Sequence, residues 1–186
     1  MMHEYPVTIR HIFISPGHNY FGRAKDGPGE HRTLDVAEVE AVAGQGLVGD
    51  RYFGVPAHYD AQITFVVFEV FAALQAEFGR GDWPPVLMRR NIVIEGVPLN
   101  QLIGQPFTLD FGDHAVEFVG AKHCAPCAWM DAMLLPGAQK FLRGRGGLRA
   151  RIVTSGVIAR GAALLRSSAA LDLSAMQARL SYPKLP

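Results

Sequence analysis

Short runs of β-branched and aromatic residues recur along this chain roughly every 10 to 20 residues, each closed off by glycine or proline. Segments of that length hold no core alone and must pair with one another. Residues 7–14, 36–42, 63–68, 90–96 and 148–154 read as strands, with a further short one near Leu164-Leu165. Residues 107–111 and 115–119 flank Gly112-Asp113, the pattern of a β-hairpin. Only residues 69–78 carry clear helical spacing, through Val70, Phe71, Leu74 and Phe78, and that helix stops at Gly79. A second short helix is expected at 139–142, and the tail from 167 to 180 also reads as helical. The sum is a mainly β fold with a few helices, mostly antiparallel, arranged as a barrel or sandwich.

The chain has 186 residues, which suits a single domain spanning 1–186. No apolar stretch approaches the roughly 20 residues needed to span a bilayer, so no membrane association is expected. The start, Met1-Met2-His3-Glu4-Tyr5, lacks the basic-then-apolar design of a secretory signal. Two cysteines make no disulfide framework, and a reducing cytoplasm is the expected location. A net charge of +1 offers no electrostatic footprint for nucleic acid. There is no strand–GxGxxG–helix unit, no GxxxxGK[ST] and no HExxH, which removes dinucleotide, P-loop and common zinc-hydrolase readings.

Both cysteines lie in Ala121-Lys122-His123-Cys124-Ala125-Pro126-Cys127, directly after the apolar run that ends at Val119. A thiol just past a strand end can meet a ligand, and its thiolate is the form that attacks electrophiles and binds metals. Lys122, or His123 when protonated, is the nearby cation expected to favour that form. Three other readings stay open: buried space-filling cysteines, a dithiol redox pair and a zinc site with His123 as third ligand. Arginine outnumbers lysine 14 to 4, and its planar fork grips phosphate at two points. Arg89 and Asn91, two apart at the start of a strand, are expected to share a face and offer a fork and an amide to an anion. The alternatives are a solvated charge at Arg89 and a turn residue at Asn91. Arg149 and Arg151 share a face in the same way. Asp50-Arg51 follows three glycines in six residues, and reads either as part of a binding loop or as an ion pair fixing it.

Four segments in order carry a resemblance: Gly46-Leu47-Val48-Gly49-Asp50-Arg51, Arg89-Arg90-Asn91-Ile92-Val93-Ile94-Glu95-Gly96, Ala125-Pro126-Cys127 and Gly146-Gly147-Leu148-Arg149-Ala150-Arg151. Together with the Leu/Gly run at 99–107 they resemble the MOSC domain, the module named for the C-terminal part of molybdenum-cofactor sulfurase. The resemblance is strongest over residues 36–163. It implies a MOSC-type β-barrel that handles the molybdenum cofactor (molybdopterin). Cys127 would be the molybdenum ligand or a sulfur-carrying thiol, and Arg89, Asn91, Asp50, Arg51 and Arg149 would contact the cofactor. Cys124 is an extra whose role the pattern leaves open. The activity implied is reduction of a small N-hydroxylated substrate, or sulfur transfer. Either would need an external electron-donor or sulfur-donor protein. The large sulfurase relatives also carry a pyridoxal-phosphate domain, and no lysine motif for that cofactor is present here. A non-catalytic module that binds and delivers the cofactor is the remaining alternative.

Overall fold

The computed structural model describes residues 1–181. Its strands and helices run β1 (His3–Ile14), β2 (Leu34–Asp35), β3 (Glu38–Val42), β4 (Gly46–Leu47), β5 (Ile63–Val67), α1 (Phe68–Phe78), β6 (Ile92–Glu95), β7 (Pro106–Asp110) and β8 (Ala115–His123). Then come the short helices α2 (Trp129–Met133) and α3 (Ala138–Leu142), followed by β9 (Leu148–Ile152), β10 (Gly156–Ala159) and β11 (Gly161–Ser167). Strands β11, β7, β8, β9, β5, β6 and β1 pair in that order, and β11 pairs back to β1, closing a seven-stranded barrel. Of the two sheet forms open from sequence, the barrel is found. β2 extends β1 at one rim, and β10, β3 and β4 form a separate small sheet.

One pair departs from the antiparallel expectation: β5 and β6 are parallel, joined through α1. Parallel partners need such a crossover. They also need cover on both faces, and Ile92, Val93 and Ile94 of β6 are all fully buried. α1 packs Val70, Phe71 and Leu74 inward and ends where Gly79 adopts a left-handed conformation, φ 62°, returning its N–H to Ala76. Inside the barrel, Phe65, Phe107 and Phe118 form a cluster with ring centroids 5.2 to 5.9 Å apart. Burying each ring contributes roughly 1.5–3 kcal/mol.

β8 runs on to His123 rather than ending near Val119. Its register against β9 shifts between Gly120 and Lys122. At that point the Gly120 N–H turns to Gln105, and a side chain there would overlap the Leu102 carbonyl oxygen. The tail also differs from expectation: residues 168–181 contain one 3-10 turn, Leu173–Ala175, and no α-helix. Its backbone groups are taken by other parts of the fold, with Leu180 N–H donating to Gly144 and the Asn100 and Gln101 side chains donating to Ala178 and Asp172. Residues 182–186 lie outside the described part. Among the described residues no helix is long and apolar enough to cross a membrane.

Candidate functional site at the barrel mouth

One rim of the barrel opens into a cavity of about 150 Å³. The end of β1 supplies Phe13 and Ile14, the start of β5 supplies Thr64, and the segment before β6 supplies Arg89, Arg90 and Asn91. Cys124 enters just past β8 and Arg149 from β9, while Arg51, Tyr52 and His58 come from the loop before β5. Four arginines line the cavity and, among the described residues, no carboxylate does. A wall of that composition suits an anion.

The chain reaches this geometry by close backbone packing. A side chain at Gly146 would overlap the Cys124 carbonyl oxygen, and one at Gly147, where φ is 106°, would overlap the Phe65 carbonyl oxygen. The two glycines therefore let the turn before β9 pack between the cysteine loop and β5. The Cys124 N–H donates to Gly147 at 2.8 Å, and the Gly146 N–H donates to His123 Nε2 at 3.0 Å. Arg90 Nε donates to the Gly146 carbonyl at 2.8 Å, tying the arginine segment to the same turn. This explains physically why the second and fourth sequence segments belong together.

Cys127 is exposed and is not among the cavity-lining residues, which it meets only through Arg89, whereas Cys124 is buried in the cavity wall. Arg89 Nη1 lies 3.2 Å from Cys127 Sγ in hydrogen-bonding geometry, and the guanidinium carbon sits 3.9 Å from the Tyr20 ring centre. The Arg89 Nε is buried without a partner, as is that of Arg51. Arg89 is the one non-glycine residue with positive φ among the described residues, at 57°. It terminates the 3-10 turn Pro85–Met88 with a left-handed conformation, which costs roughly 1–2 kcal/mol. The expected strand alternation of Arg89 and Asn91 does not apply, because the strand begins only at Ile92. They nonetheless meet the same cavity. The sulfur's cation is thus Arg89, 38 residues upstream. Lys122 pairs with Asp60 at 3.5 Å, and His123 accepts a hydrogen bond from Gly146. Burial, then Arg90 and Arg149, push the His123 pKa below the ordinary imidazole value.

Asn91 and Asp50 serve the frame of the site. Asn91 Oδ1 accepts from Thr64 N–H (3.1 Å) and Thr64 Oγ1 (2.8 Å), its N–H donates to Thr64 Oγ1, and Nδ2 donates to the Phe13 carbonyl (3.1 Å). One side chain therefore ties β1, β5 and β6 together. The Asp50 carboxylate is 7 % exposed and accepts from Ser15 and Tyr52 backbone N–H groups, with Arg51 Nη1 at 3.7 Å. The ion-pair reading of Asp50-Arg51 describes its geometry. Arg149 lines the cavity, whereas Arg151 lies outside it, 5.5 Å from the Tyr59 ring.

Tyr20, Tyr52 and His58 are cavity residues that no sequence motif marked, and Arg90 lay inside a marked segment without being singled out. Tyr52 stacks on His58, with centroids 3.9 Å apart, and the Arg51 guanidinium carbon lies 4.5 Å from its ring centre. Burial, then Arg149 and Arg51, hold His58 below the ordinary histidine pKa. The only available signal was two aromatic loops flanking a glycine-rich turn, and such loops are common. No group of three or more His, Cys, Asp or Glu side chains gathers among the described residues as a metal cage would require. α2 begins at Trp129, beyond both cysteines, unlike a dithiol redox helix.

Solved structures share this architecture. The YuaD protein from Bacillus subtilis matches with a TM-score of 0.70 at 15 % identity, covering 91 % of this chain and all of its own. YiiM from Geobacillus stearothermophilus matches at 0.62 and 18 %, covering 92 % of this chain and 82 % of its own. YiiM from Escherichia coli matches at 0.58 and 16 %, covering 95 % and 76 %. No curated protein matches in sequence. A family model of the MOSC domain matches residues 39–164, from β3 into β11, which includes both cysteines and every cavity arginine. With that match spanning most of the barrel, the chain belongs to the MOSC domain family.

Proposed function

We propose that this protein binds the molybdenum cofactor at the barrel mouth and reduces N-hydroxylated small molecules with electrons from a donor protein. The family is one associated with molybdenum-cofactor binding. The observation that carries the reading is an exposed thiol in hydrogen-bond contact with an arginine that also lines a carboxylate-free, four-arginine cavity. The residues fit the group. A thiolate suits a soft, sulfur-rich metal centre, and arginine forks suit its phosphate. The orphaned Nε atoms of Arg51 and Arg89 are donors in search of an acceptor. Cys127 would hold the metal, and Arg51, Arg89 and Arg149 would hold the phosphate and pterin edge.

When bound, the cofactor would supply two-electron removal of an oxygen atom from the substrate. This chain's own residues bind and orient. Asn91 and Asp50 brace the loops that carry the arginines, and the stacked Tyr52 and His58 offer a flat wall to the substrate. His58, held neutral, can hydrogen-bond a substrate hydroxyl. A reducing cytoplasm would keep the exposed Cys127 free to act.

The exposure of Cys127 also favours a second reading, in which it carries sulfane sulfur. Its thiolate would attack the outer sulfur of a donor's persulfide, forming a persulfide on Cys127 and releasing the donor as a thiolate.

Metal and pterin content separates the readings, measured on wild type, Cys127→Ala and Cys124→Ser purified without oxygen from cells that make the cofactor. Near-stoichiometric molybdenum, lost in Cys127→Ala and kept in Cys124→Ser, is the expected result. Turnover of an N-hydroxylated probe driven by dithionite then distinguishes the enzyme from a non-catalytic carrier. No molybdenum, but one added sulfur atom on Cys127, supports the carrier of sulfur. Zinc held by both cysteines overturns both.

A further inference from the structure

Four of the ten large exposed hydrophobic side chains among the described residues come from two neighbouring segments. Phe53, Val55 and Tyr59 come from the loop that also gives the cavity Arg51, Tyr52 and His58. Val153 follows β9, whose Leu148, Ala150 and Ile152 point inward while Arg149 and Arg151 alternate outward on the face Val153 continues. Direct contacts join the two groups. Arg151 lies over the Tyr59 ring, Ile152 N–H donates to Gln62 at the end of the same loop, and His58 N–H donates to Val55. A side chain on Gly46 would touch both Gln62 and the Phe53 backbone, which places Phe53 beside that junction. The result is one surface running from Arg149 in the cavity mouth, across Arg151 and Tyr59, to Phe53, Val55 and Val153.

We propose that this surface docks an acidic electron-carrier protein, the partner that the reductase reading requires, and the proposal rests on that reading. Two features favour this occupant. Arg51, Arg89, Arg90, Arg149 and Arg151 stand at or beside the mouth, against the buried carboxylate of Asp50 and the exposed Glu117, whose carbonyl accepts from Val153 N–H; Lys122 and Asp60 pair with each other. The uncompensated charge is positive, so an acidic face is the complement and steers the encounter. A second copy of the chain is the poorer occupant. A two-fold contact here would set Arg151 and its neighbours against their own copies, apposing like charges. Exposed aromatics at the centre of a charged surface are also the composition of binding hot spots.

The test titrates isotope-labelled protein with an acidic flavodoxin and, separately, an acidic [2Fe–2S] ferredoxin, followed by NMR. A basic cytochrome c serves as control. The expected result is perturbation confined to residues around 53–59 and 149–153, weakened several-fold when salt is raised from about 0.05 to 0.3 M. Tyr59→Ser and Arg151→Glu should each cut affinity about tenfold while leaving molybdenum content and dithionite-driven turnover unchanged. Failure of both acidic carriers to bind, equal binding of cytochrome c, or a dimer that protects Tyr59 would each overturn the docking proposal. Loss of molybdenum from wild type would instead sink the reading beneath it, so the two failures are distinguishable.

Discussion

Replacing Asn91 by alanine tests whether its amide holds the frame or a ligand. In the structure the side chain makes three hydrogen bonds of 2.8 to 3.1 Å, two accepted from Thr64 and one donated to Phe13. Alanine removes all three and strands the Thr64 N–H and the Phe13 carbonyl at the junction of β5, β6 and β1. At about 1 kcal/mol for each lost bond, the variant should lose about 3 kcal/mol. For a domain of this size that lowers Tm by roughly 6–12 °C. Urea unfolding should show the same loss as a lower midpoint at unchanged slope. Asn91→Asp gives a second signature. The carboxylate keeps both acceptor contacts to Thr64, loses the donor to Phe13, and stands near Asp50, whose Oδ2 is 3.5 Å from Nδ2. Its deficit should shrink on acidification, because the protonated side chain regains a donor. The bracing role is refuted if Asn91→Ala melts within about 2 °C of wild type yet loses the molybdenum cofactor, since the amide would then be a ligand contact.

Two further outcomes follow from the same geometry. Gly147→Ala must push a methyl group into the Phe65 carbonyl oxygen at a φ of 106°, so it should cost more than about 4 kcal/mol or abolish soluble folding. Gly104→Ala, at φ 76° with open space around it, should lose only about 1–2 kcal/mol, and equal losses by thermal melting would disprove the close-approach account. On acidification, His18, His58 and His123 all have folded pKa values below the ordinary one, chiefly through burial and then neighbouring arginines. The unfolded chain therefore binds more protons below about pH 6.5, so stability is full above that pH and falls as pH drops through the window down to the folded values. His114 acts oppositely, raised by the Val157 carbonyl and Asp113, but it is fully exposed and screened. Urea midpoints between pH 7.5 and 5 should fall for wild type and fall less for His58→Gln; a flat profile refutes the assignment.

The strands were legible because their chemistry is local. Residues 63–67 and 92–95 are continuous apolar runs, residues 106–110 and 115–123 bracket a glycine turn, and α1 shows its spacing and its stop. The parallel pairing of β5 with β6 was not legible, since an apolar run fits a buried strand of either sense. β4 and β10 are two and four residues long and carry glycine, too short for alternation to show. The tail misled because Ala, Leu, Met and Gln favour helix intrinsically, while its backbone partners lie some 70 residues upstream in Asn100 and Gln101. At the site, Arg51, Arg89 and Arg149 were found by residue type, and the structure brings them to one cavity. The Arg89 contact to Cys127 was hidden, because it depends on a left-handed residue at 89 that nothing in its neighbourhood announces.

That left-handed residue connects the fold to the chemistry. A β-region φ at position 89 would continue the run into β6 and send its side chain along the strand's alternation, to the face of Val93 and Glu95 and opposite Ile92 and Ile94. The positive φ instead ends the 3-10 turn at Arg89, whose guanidinium lies at the cavity, on Tyr20 and the Cys127 sulfur. The conformation is held by Met88 packed in the core on one side and by the Asn91–Thr64 pair on the other. The strain at Arg89 thus persists because its neighbours fix the chain before and after it. Met88 and Asn91 thereby decide where the guanidinium beside the Cys127 sulfur stands. Weakening either should disturb Cys127 before it unfolds the barrel.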